Sequence, residues 1–334
     1  MSLIAKCIKN KDKNIKPIWL MRQAGRYLPE FRDIRIKNPD FIKLCLNKDL
    51  SSEITLQPIK RFGFDAAIIF SDILMLPYGL GQKVEFKKNF GPILGELDLA
   101  SIEEINEGFF IDKLTPVYDA IRNVKENKLT KNKEVIGFVG APWTLLVYML
   151  NKQSPKKELS NEILKDKNKI KSLFNIIDKY LKIHIKNQIN AGATIIQIFD
   201  SWAGLVDNKS LDNYIYEPTI KLVEFVKSLN TPVICFPRNI QDYKKYVEIT
   251  NPDVINIDYN VDPKKIRDQI GIVIQGGMDP KFLLGDKEKL KKEVLNYLNL
   301  FKDHPYIFNL GHGVLPETDP TTVDYLVKLI RDFK

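Results

Sequence analysis

Cysteine and histidine are scarce: the 334 residues contain three of each. Cys7, Cys45 and Cys235 are far apart, odd in number, and form no Cys-x-x-Cys pair. That excludes a disulfide framework and points to a reducing compartment, the cytoplasm being the simplest. There is no His-x-Cys element. His184 sits in a helical pattern and His304 in an Asp-His-Pro turn, neither with a partner at metal-ligand spacing. No metal site is therefore expected. Gly-x-Gly-x-x-Gly, Gly-x-Ser-x-Gly and the Walker loop are also missing, which argues against the common dinucleotide, hydrolase and nucleotide-triphosphate classes. The longest apolar stretch, Gly137 to Leu150, is interrupted by Pro142 and Thr144. It falls short of the ~20 residues a membrane-spanning helix needs. Lys6, Lys9, Lys11 and Lys13 have no apolar segment behind them, so a secretory leader is not expected.

What remains is an ordinary globular composition, 44% hydrophobic and 28% charged, with a formal charge of +9. A basic balance suits a polyanionic ligand or nucleic acid. Here Lys and Asn are abundant even on plain surface helices, so much of the excess is compositional. Seven short apolar runs recur: Ala66–Phe70, Val135–Val139, Thr194–Phe199, Pro232–Phe236, Val254–Asp258, Ile272–Gln275 and Tyr306–Leu310. Near-continuous apolar runs are expected of parallel strands covered on both faces. Amphipathic segments such as Ile170–Asn190 and Asn213–Leu229 lie between them. This cadence predicts an α/β fold, a single and somewhat irregular (β/α)8 TIM-type barrel spanning residues 1–334 as one domain. The eighth strand is either the Ile18–Met21 stretch or irregular. The polar segments Asn123–Glu134 and Asn151–Lys169 are surface connections within the barrel.

Ile18 to Arg32 stands apart. Arg22, Arg26 and Arg32 alternate with Trp19, Leu20, Met21, Tyr27, Leu28 and Phe31, with Arg35 close behind. Gly25 separates the first two arginines, and Pro29 is expected to stop any helix running through them. Arginines in an apolar frame can grip carboxylates or phosphates through their planar fork; equally, such a loop can pack by its aromatics alone. The strand ends carry the other candidates: Ser71-Asp72, Asp200-Ser201-Trp202, Asp258-Tyr259, Asp279 and Gly311-His312-Gly313. A parallel barrel gathers these at one face. Any single Asp among them can be a helix cap or a turn residue instead, and for Asp258 and Asp279 that is the better reading. Cys235, mid-strand, reads as a packed core thiol.

Several blocks together resemble the uroporphyrinogen decarboxylase family. Met21-Arg-Gln-Ala-Gly-Arg-Tyr-Leu-Pro-Glu-Phe-Arg32 and Gly137-Phe-Val-Gly-Ala-Pro-Trp-Thr-Leu145 read like its two signatures. Ala67–Leu74, Phe199–Gly204 and Asn309–Gly313 resemble further blocks, in order along essentially the whole chain. The loop Pro237-Arg-Asn-Ile240 is unlike the family's Gly- and Lys-containing loop, which leaves the local mouth geometry open. The resemblance implies a (β/α)8 barrel and a homodimer, without metal or organic cofactor. It implies a cytoplasmic enzyme of haem biosynthesis that converts the four acetates of uroporphyrinogen III to methyls, giving coproporphyrinogen III. By the same resemblance Asp72 is the central catalytic carboxylate, and Arg22 and Arg26 hold substrate acids. Gln23, Ala24 and Gly25 line their turn and are substrate-binding too, Tyr148, Ser201 and His312 make polar contacts, and Phe199 packs on the macrocycle. Arg35 also reaches an acid group. Two other classes compete. A corrinoid- or folate-type methyltransferase of the same barrel superfamily would need a thiolate-rich zinc site. A basic nucleic-acid or tetrapyrrole-binding module would leave the polar strand ends unexplained.

Overall fold

The chain forms a parallel sheet curled into a barrel and wrapped by helices, described in a computed structural model for residues 1–87, 90–155 and 164–333. In chain order the strands are β1 (Ala66–Ile68), β2 (Val84–Lys87), β3 (Gly91–Leu94), β4 (Glu134–Gly140), β5 (Ile195–Asp200), β6 (Val233–Pro237), β7 (Val254–Ile257), β8 (Val273–Gly276) and β9 (Tyr306–Ile307). The parallel sheet runs β1-β4-β5-β6-β7-β8-β9, so each expected run supplies one strand, in sequence order. Their side chains are buried almost throughout, as strands covered by a lumen on one face and helices on the other must be.

The eighth position is filled by a single bridge. Ile18 pairs in parallel with Phe308. The Phe308 N–H donates to the Pro17 carbonyl (2.8 Å), and on the other side the Asp65 N–H donates to the Ile18 carbonyl (2.9 Å). The Asp65 carboxylate completes the clamp, accepting the Ile18 N–H at 2.7 Å and the Arg331 guanidinium at 2.9 Å. One residue thus joins the first and last parallel strands, which is why no full strand was legible there.

Trp19, Ile68, Ile136, Ile195, Ile234, Val254, Val273 and Ile307 pack together in the lumen, drawing on every parallel strand. A polar layer joins them. The Trp19 indole N–H donates to Gln275 Oε1 (2.9 Å), and the Gln275 amide donates to Asn256 (2.8 Å) and Gln197 (3.3 Å). These four side chains are fully buried. A buried network with partners for its donors fixes strand register, where an unmatched one would cost a few kcal/mol.

The helices follow the polar segments, with some differences. Ile170–Asn190 extends back to Lys167, where Asp166 accepts the Lys169 N–H. Asn213–Leu229 divides into a π-turn, Asp212–Tyr216, and a helix, Glu217–Ser228. Pro218 explains the break, since it lacks an N–H and its ring crowds the preceding turn. As expected, no helix runs through Arg22 and Arg26 into Pro29; Pro29 opens one instead, Pro29–Lys37, at the position where a missing N–H is harmless. Asp279 is the cap expected, accepting the Lys281 N–H at 2.9 Å. In the Asn151–Lys169 segment, residues 156–163 lie outside the described residues. The β2–β3 hairpin had no counterpart among the apolar runs. Its Phe86 packs on Phe41 (4.5 Å between centroids), and Phe41 on Phe70 (5.7 Å), so it walls one side of the mouth.

Candidate active site

The arginine turn is built from below. The Met21 N–H donates to Asn309 Oδ1 (2.9 Å) and the Val314 N–H to the Met21 carbonyl (2.9 Å), tying the turn to the segment after β9. Arg22 then adopts a left-handed backbone, φ +59°. A residue with a Cβ pays roughly 1–2 kcal/mol for that conformation, so the surroundings must hold it there. Gly25 allows the close return: a Cβ on it would stand 2.9 Å from the Arg22 carbonyl. Gly313 leaves the room in which the Arg22 stem lies, since its Cβ would be 2.3 Å from Arg22 Cδ.

Gln23 departs from its expected role as a substrate contact. Its side chain is fully buried, accepting the Leu20 N–H (3.1 Å) and donating to the Ala66 carbonyl (2.9 Å). It braces the turn against β1 instead. Tyr27 adds a hydroxyl bond to the Gln23 carbonyl (2.8 Å), and Arg32 donates to the Arg26 and Tyr27 carbonyls (3.0 Å each). Ala24 and Gly25 are half-buried in the turn, and Arg26 is exposed. Arg35 lies apart. It donates to the Asn38 carbonyl and covers the Phe41 ring at 5.7 Å, behind Phe70 as seen from Asp72 in the chain of aromatic contacts. The structure therefore does not bring Arg35 into the Arg22–Asp72 group.

Asp72 follows β1. Two buried hydroxyls pin the backbone just before it: Ser51 donates to the Phe70 carbonyl (2.6 Å), and the Phe70 N–H donates to Thr55 (2.8 Å). Both come from the helix Lys48–Phe62. Asp72 Oδ1 accepts the Leu74 N–H at 2.9 Å. Asp72 is not an ordinary, fully solvated carboxylate. Desolvation raises its pKa to about 6, against the lowering effects of that N–H and of Arg22. Water still reaches Arg22, although protein displaces most of the solvent around it. Desolvation is the first cause lowering the Arg22 pKa, Asp72 opposes it, and Arg238 and Arg26 reinforce it. Arg22 and Asp72 are thus opposite charges close enough to act on one another, Asp72 half-buried and Arg22 reached by water.

The second signature forms β4 and the helix Pro142–Asn151, which carries Tyr148. Its phenol is buried, with its pKa raised first by desolvation; its hydroxyl lies 3.3 Å from Ser154 Oγ, and its ring meets Trp202 edge-on at 5.9 Å. The charges of Asp72 and Arg22 both reach it. Phe199, next to last in β5, is half-buried and edge-on to Phe138 (5.6 Å) and Phe236 (6.3 Å), an apolar floor. Ser201 is half-buried beyond it. Asp200 points away, bonded to the Thr144 hydroxyl at 2.6 Å and buried enough to raise its pKa to about 7.

His312 lies between two close backbone approaches. Gly311 has no room for a Cβ, which would fall 2.2 Å from the Tyr259 nitrogen, and Gly313 abuts Arg22. Desolvation first, then Arg238 and Arg22, lower the His312 pKa to about 4, so the imidazole is neutral at pH 7. Arg238 was not among the candidates, and Asp258 does not cap a helix. Asp258 is fully buried and 3.5 Å from Arg238 Nε. The cysteines lie buried in separate places, Cys7 and Cys235 with pKa values raised to about 12 and Cys45 also raised, all chiefly by desolvation. Thiols held protonated in this way are poor zinc ligands.

Comparison with known proteins matches this arrangement to one family. The family model described as Uroporphyrinogen decarboxylase (URO-D) matches residues 1–333. A protein of Rickettsia bellii named uroporphyrinogen decarboxylase is 41% identical, over all of this chain and 99% of its own. One of the same name from Orientia tsutsugamushi is also 41% identical, over all of this chain and 99% of its own. Among solved structures, a methyltransferase from Methanosarcina mazei superposes with a TM-score of 0.80, covering 99% of this chain and 98% of that one, at 16% identity. That likeness concerns the barrel fold. With both signatures forming one mouth and the match running end to end, the chain belongs to the uroporphyrinogen decarboxylase family.

Proposed function

We propose that this protein removes the four acetate carboxyls of uroporphyrinogen III, giving coproporphyrinogen III, in tetrapyrrole biosynthesis. The observation that carries the reading is a desolvated carboxylate, Asp72, beside Arg22 at the mouth of a barrel with a full-length family match. In each step R–CH2–COO⁻ and a proton become R–CH3 and CO2. Protonation of a pyrrole carbon makes the ring a cation, which accepts the electron pair as the C–C bond breaks. The methylene carbon is then protonated and the ring gives its extra proton back. The ring is its own electron sink, so the scheme calls on no cofactor.

Each residue has a physical role in that scheme. Asp72 accepts pyrrole N–H bonds and stabilises the ring cation. Arg22 and Arg26 bind substrate carboxylates. Phe199 lies under the macrocycle, and Tyr148, Ser201 and neutral His312 offer polar contacts. The homodimer and the cytoplasmic location belong to the same reading, and light scattering tests the first. Among the described residues, no helix is long and apolar enough to cross a membrane.

Anaerobic incubation with uroporphyrinogen, followed by oxidation and separation of the porphyrins, tests the reaction. The expected result is a series from eight to four carboxylates, without added cofactor and with chelators present. Folded protein yielding no such series would overturn the reading.

The pH profile gives a second test. Because Asp72 acts ionised and its pKa is raised to about 6, kcat/KM should fall below about pH 6 and lose roughly tenfold per further unit. Free substrate acids titrate lower, near ~4–5, and His312 near 4 does not intervene. Asp200, at about 7, and Asp258, also raised chiefly by desolvation, are the competing carboxyls among the described residues. Asp200→Asn should leave the limb where it is, whereas a limb that moves with Asp200 would remove Asp72 from the assignment.

A further inference from the structure

The loop Pro237-Arg238-Asn239-Ile240 departs from the family pattern, and the scheme above leaves Arg238 without a task. Its seat is well defined. The Arg238 N–H donates to the Asp200 carbonyl (3.0 Å), and its own carbonyl accepts the Gly204 N–H (3.0 Å), fixing its backbone beside the end of β5. Asp258, at the end of β7, stands behind its side chain. Asp258 Oδ2 accepts the Asn239 N–H (2.6 Å) and the Tyr243 hydroxyl (3.3 Å).

Oδ1 is left for the arginine, but at 3.5 Å from Nε and without a hydrogen bond; both atoms are buried and unpartnered. A brace would normally use the fork against the carboxylate, two N–H groups to two oxygens. Here the guanidinium makes only this loose contact with Asp258 and no well-formed hydrogen bond to any described residue, and 21% of the side chain is open. Asp258 neutralises and steadies the guanidinium while leaving its N–H groups free.

The position matters as much as the vacancy in the fork. Gly311 presses against Asp258 and Tyr259, and Gly313 against Arg22, so His312 spans the gap between the two arginines' supports. The charge of Arg238 is felt at both His312 and Arg22. Although Asp258 faces Arg238 and the Asp72 charge reaches Arg22, the two guanidinium charges still act on one neutral imidazole and on each other, a setting that favours a further anion. A tetrapyrrole with eight carboxylates supplies such anions around its edge.

We propose that Arg238 is a further substrate-binding residue, its guanidinium fork steadied by Asp258 to bind a peripheral carboxylate of the tetrapyrrole on the side of His312 away from Arg22. The inference rests on the decarboxylase reading. It is tested with wild type, Arg238→Gln, Arg238→Lys, Asp258→Asn and the double variant Arg238→Gln/Asp258→Asn. The double variant avoids stranding a buried charge, which would otherwise threaten folding.

Loss of a charged hydrogen-bond pair should raise KM about ten- to hundredfold in Arg238→Gln, with kcat within about threefold. Lysine should recover part of the loss, and Asp258→Asn added to Arg238→Gln should raise KM no further. In parallel, binding of oxidised uroporphyrin is followed by quenching of tryptophan fluorescence, and the double variant should bind at least tenfold more weakly. Folded double variant with wild-type KM and wild-type porphyrin binding would overturn the proposal, as would a loss of melting temperature alone. Wild type that binds uroporphyrin but forms no product would instead overturn the decarboxylase reading, and the binding comparison would still decide on Arg238.

Discussion

Replacing Asp72 by asparagine is expected to lower kcat by at least ~10²–10³, the usual effect of removing a preorganised electrostatic group, with the barrel still folded. The fold should survive because the one side-chain hydrogen bond Asp72 makes among the described residues, from the Leu74 N–H at 2.9 Å, needs only an oxygen, which Asn also offers. Its backbone approach is fixed upstream by Ser51 and Thr55. Chemistry should not survive. The ring cation loses its counter-charge, and the amide presents donors to pyrrole N–H groups that are themselves donors.

The stability consequence has a definite sign. A carboxyl whose folded pKa is raised, here to about 6, burdens the folded state as it ionises with rising pH. Asp72→Asn should therefore melt at or above the wild-type temperature above pH 6, and the difference should vanish below about pH 4. Asp72→Glu keeps the charge and should retain more activity than Asn if the cavity admits a methylene. Measurements of kcat with circular dichroism melts decide the matter: a folded Asp72→Asn enzyme within about threefold of wild type would return Asp72 to the rank of a strand-end turn residue.

The parts of this fold that were legible are those whose burial is two-sided. The seven parallel strands have helices on one face and a lumen on the other, so alternation disappears and apolar runs remain. The β2–β3 hairpin escaped because it is only partly covered, with Val84 buried and Lys87 exposed in a strand of four residues. The eighth position, legible only as the Ile18–Met21 stretch or something irregular, is both, since one residue of that stretch, Ile18, with the Asp65 clamp, closes the barrel. Among site residues, Asp72 was legible from its place after an apolar run. The direction of Gln23 was not, since nothing in a run of polar letters says which side chain a left-handed turn at Arg22 will send inward. Asp258 looked like a cap because its partners, Arg238 and Tyr243, come from a different strand-end loop and a helix. Arg238 carried a signal, a cation directly after a buried strand at the rim shared with Asp72.

Gly313 offers the most selective way to disturb Arg22. Its backbone is not left-handed, so alanine brings no intrinsic strain there. The obstacle is the arginine itself: the new methyl would stand 2.3 Å from Arg22 Cδ and 2.7 Å from Cγ, nearer than carbon atoms approach. The Arg22 stem is flexible and must swing out, so Gly313→Ala should fold and melt close to wild type while emptying the guanidinium's seat. If that seat aligns the fork with a substrate carboxylate, the loss should resemble Arg22→Lys, which keeps the charge but replaces two aligned donors by a point. Each change should lower kcat/KM by roughly 1–3 kcal/mol, or about 5- to 150-fold. Because both act on one contact, the double variant should be little worse than the weaker single variant. Steady-state kinetics on the three proteins, with thermal melts, provides the check. Additive losses would mean that Gly313 serves something other than Arg22. Near wild-type kcat/KM in both single variants would show that Arg22 holds the turn together without holding the substrate.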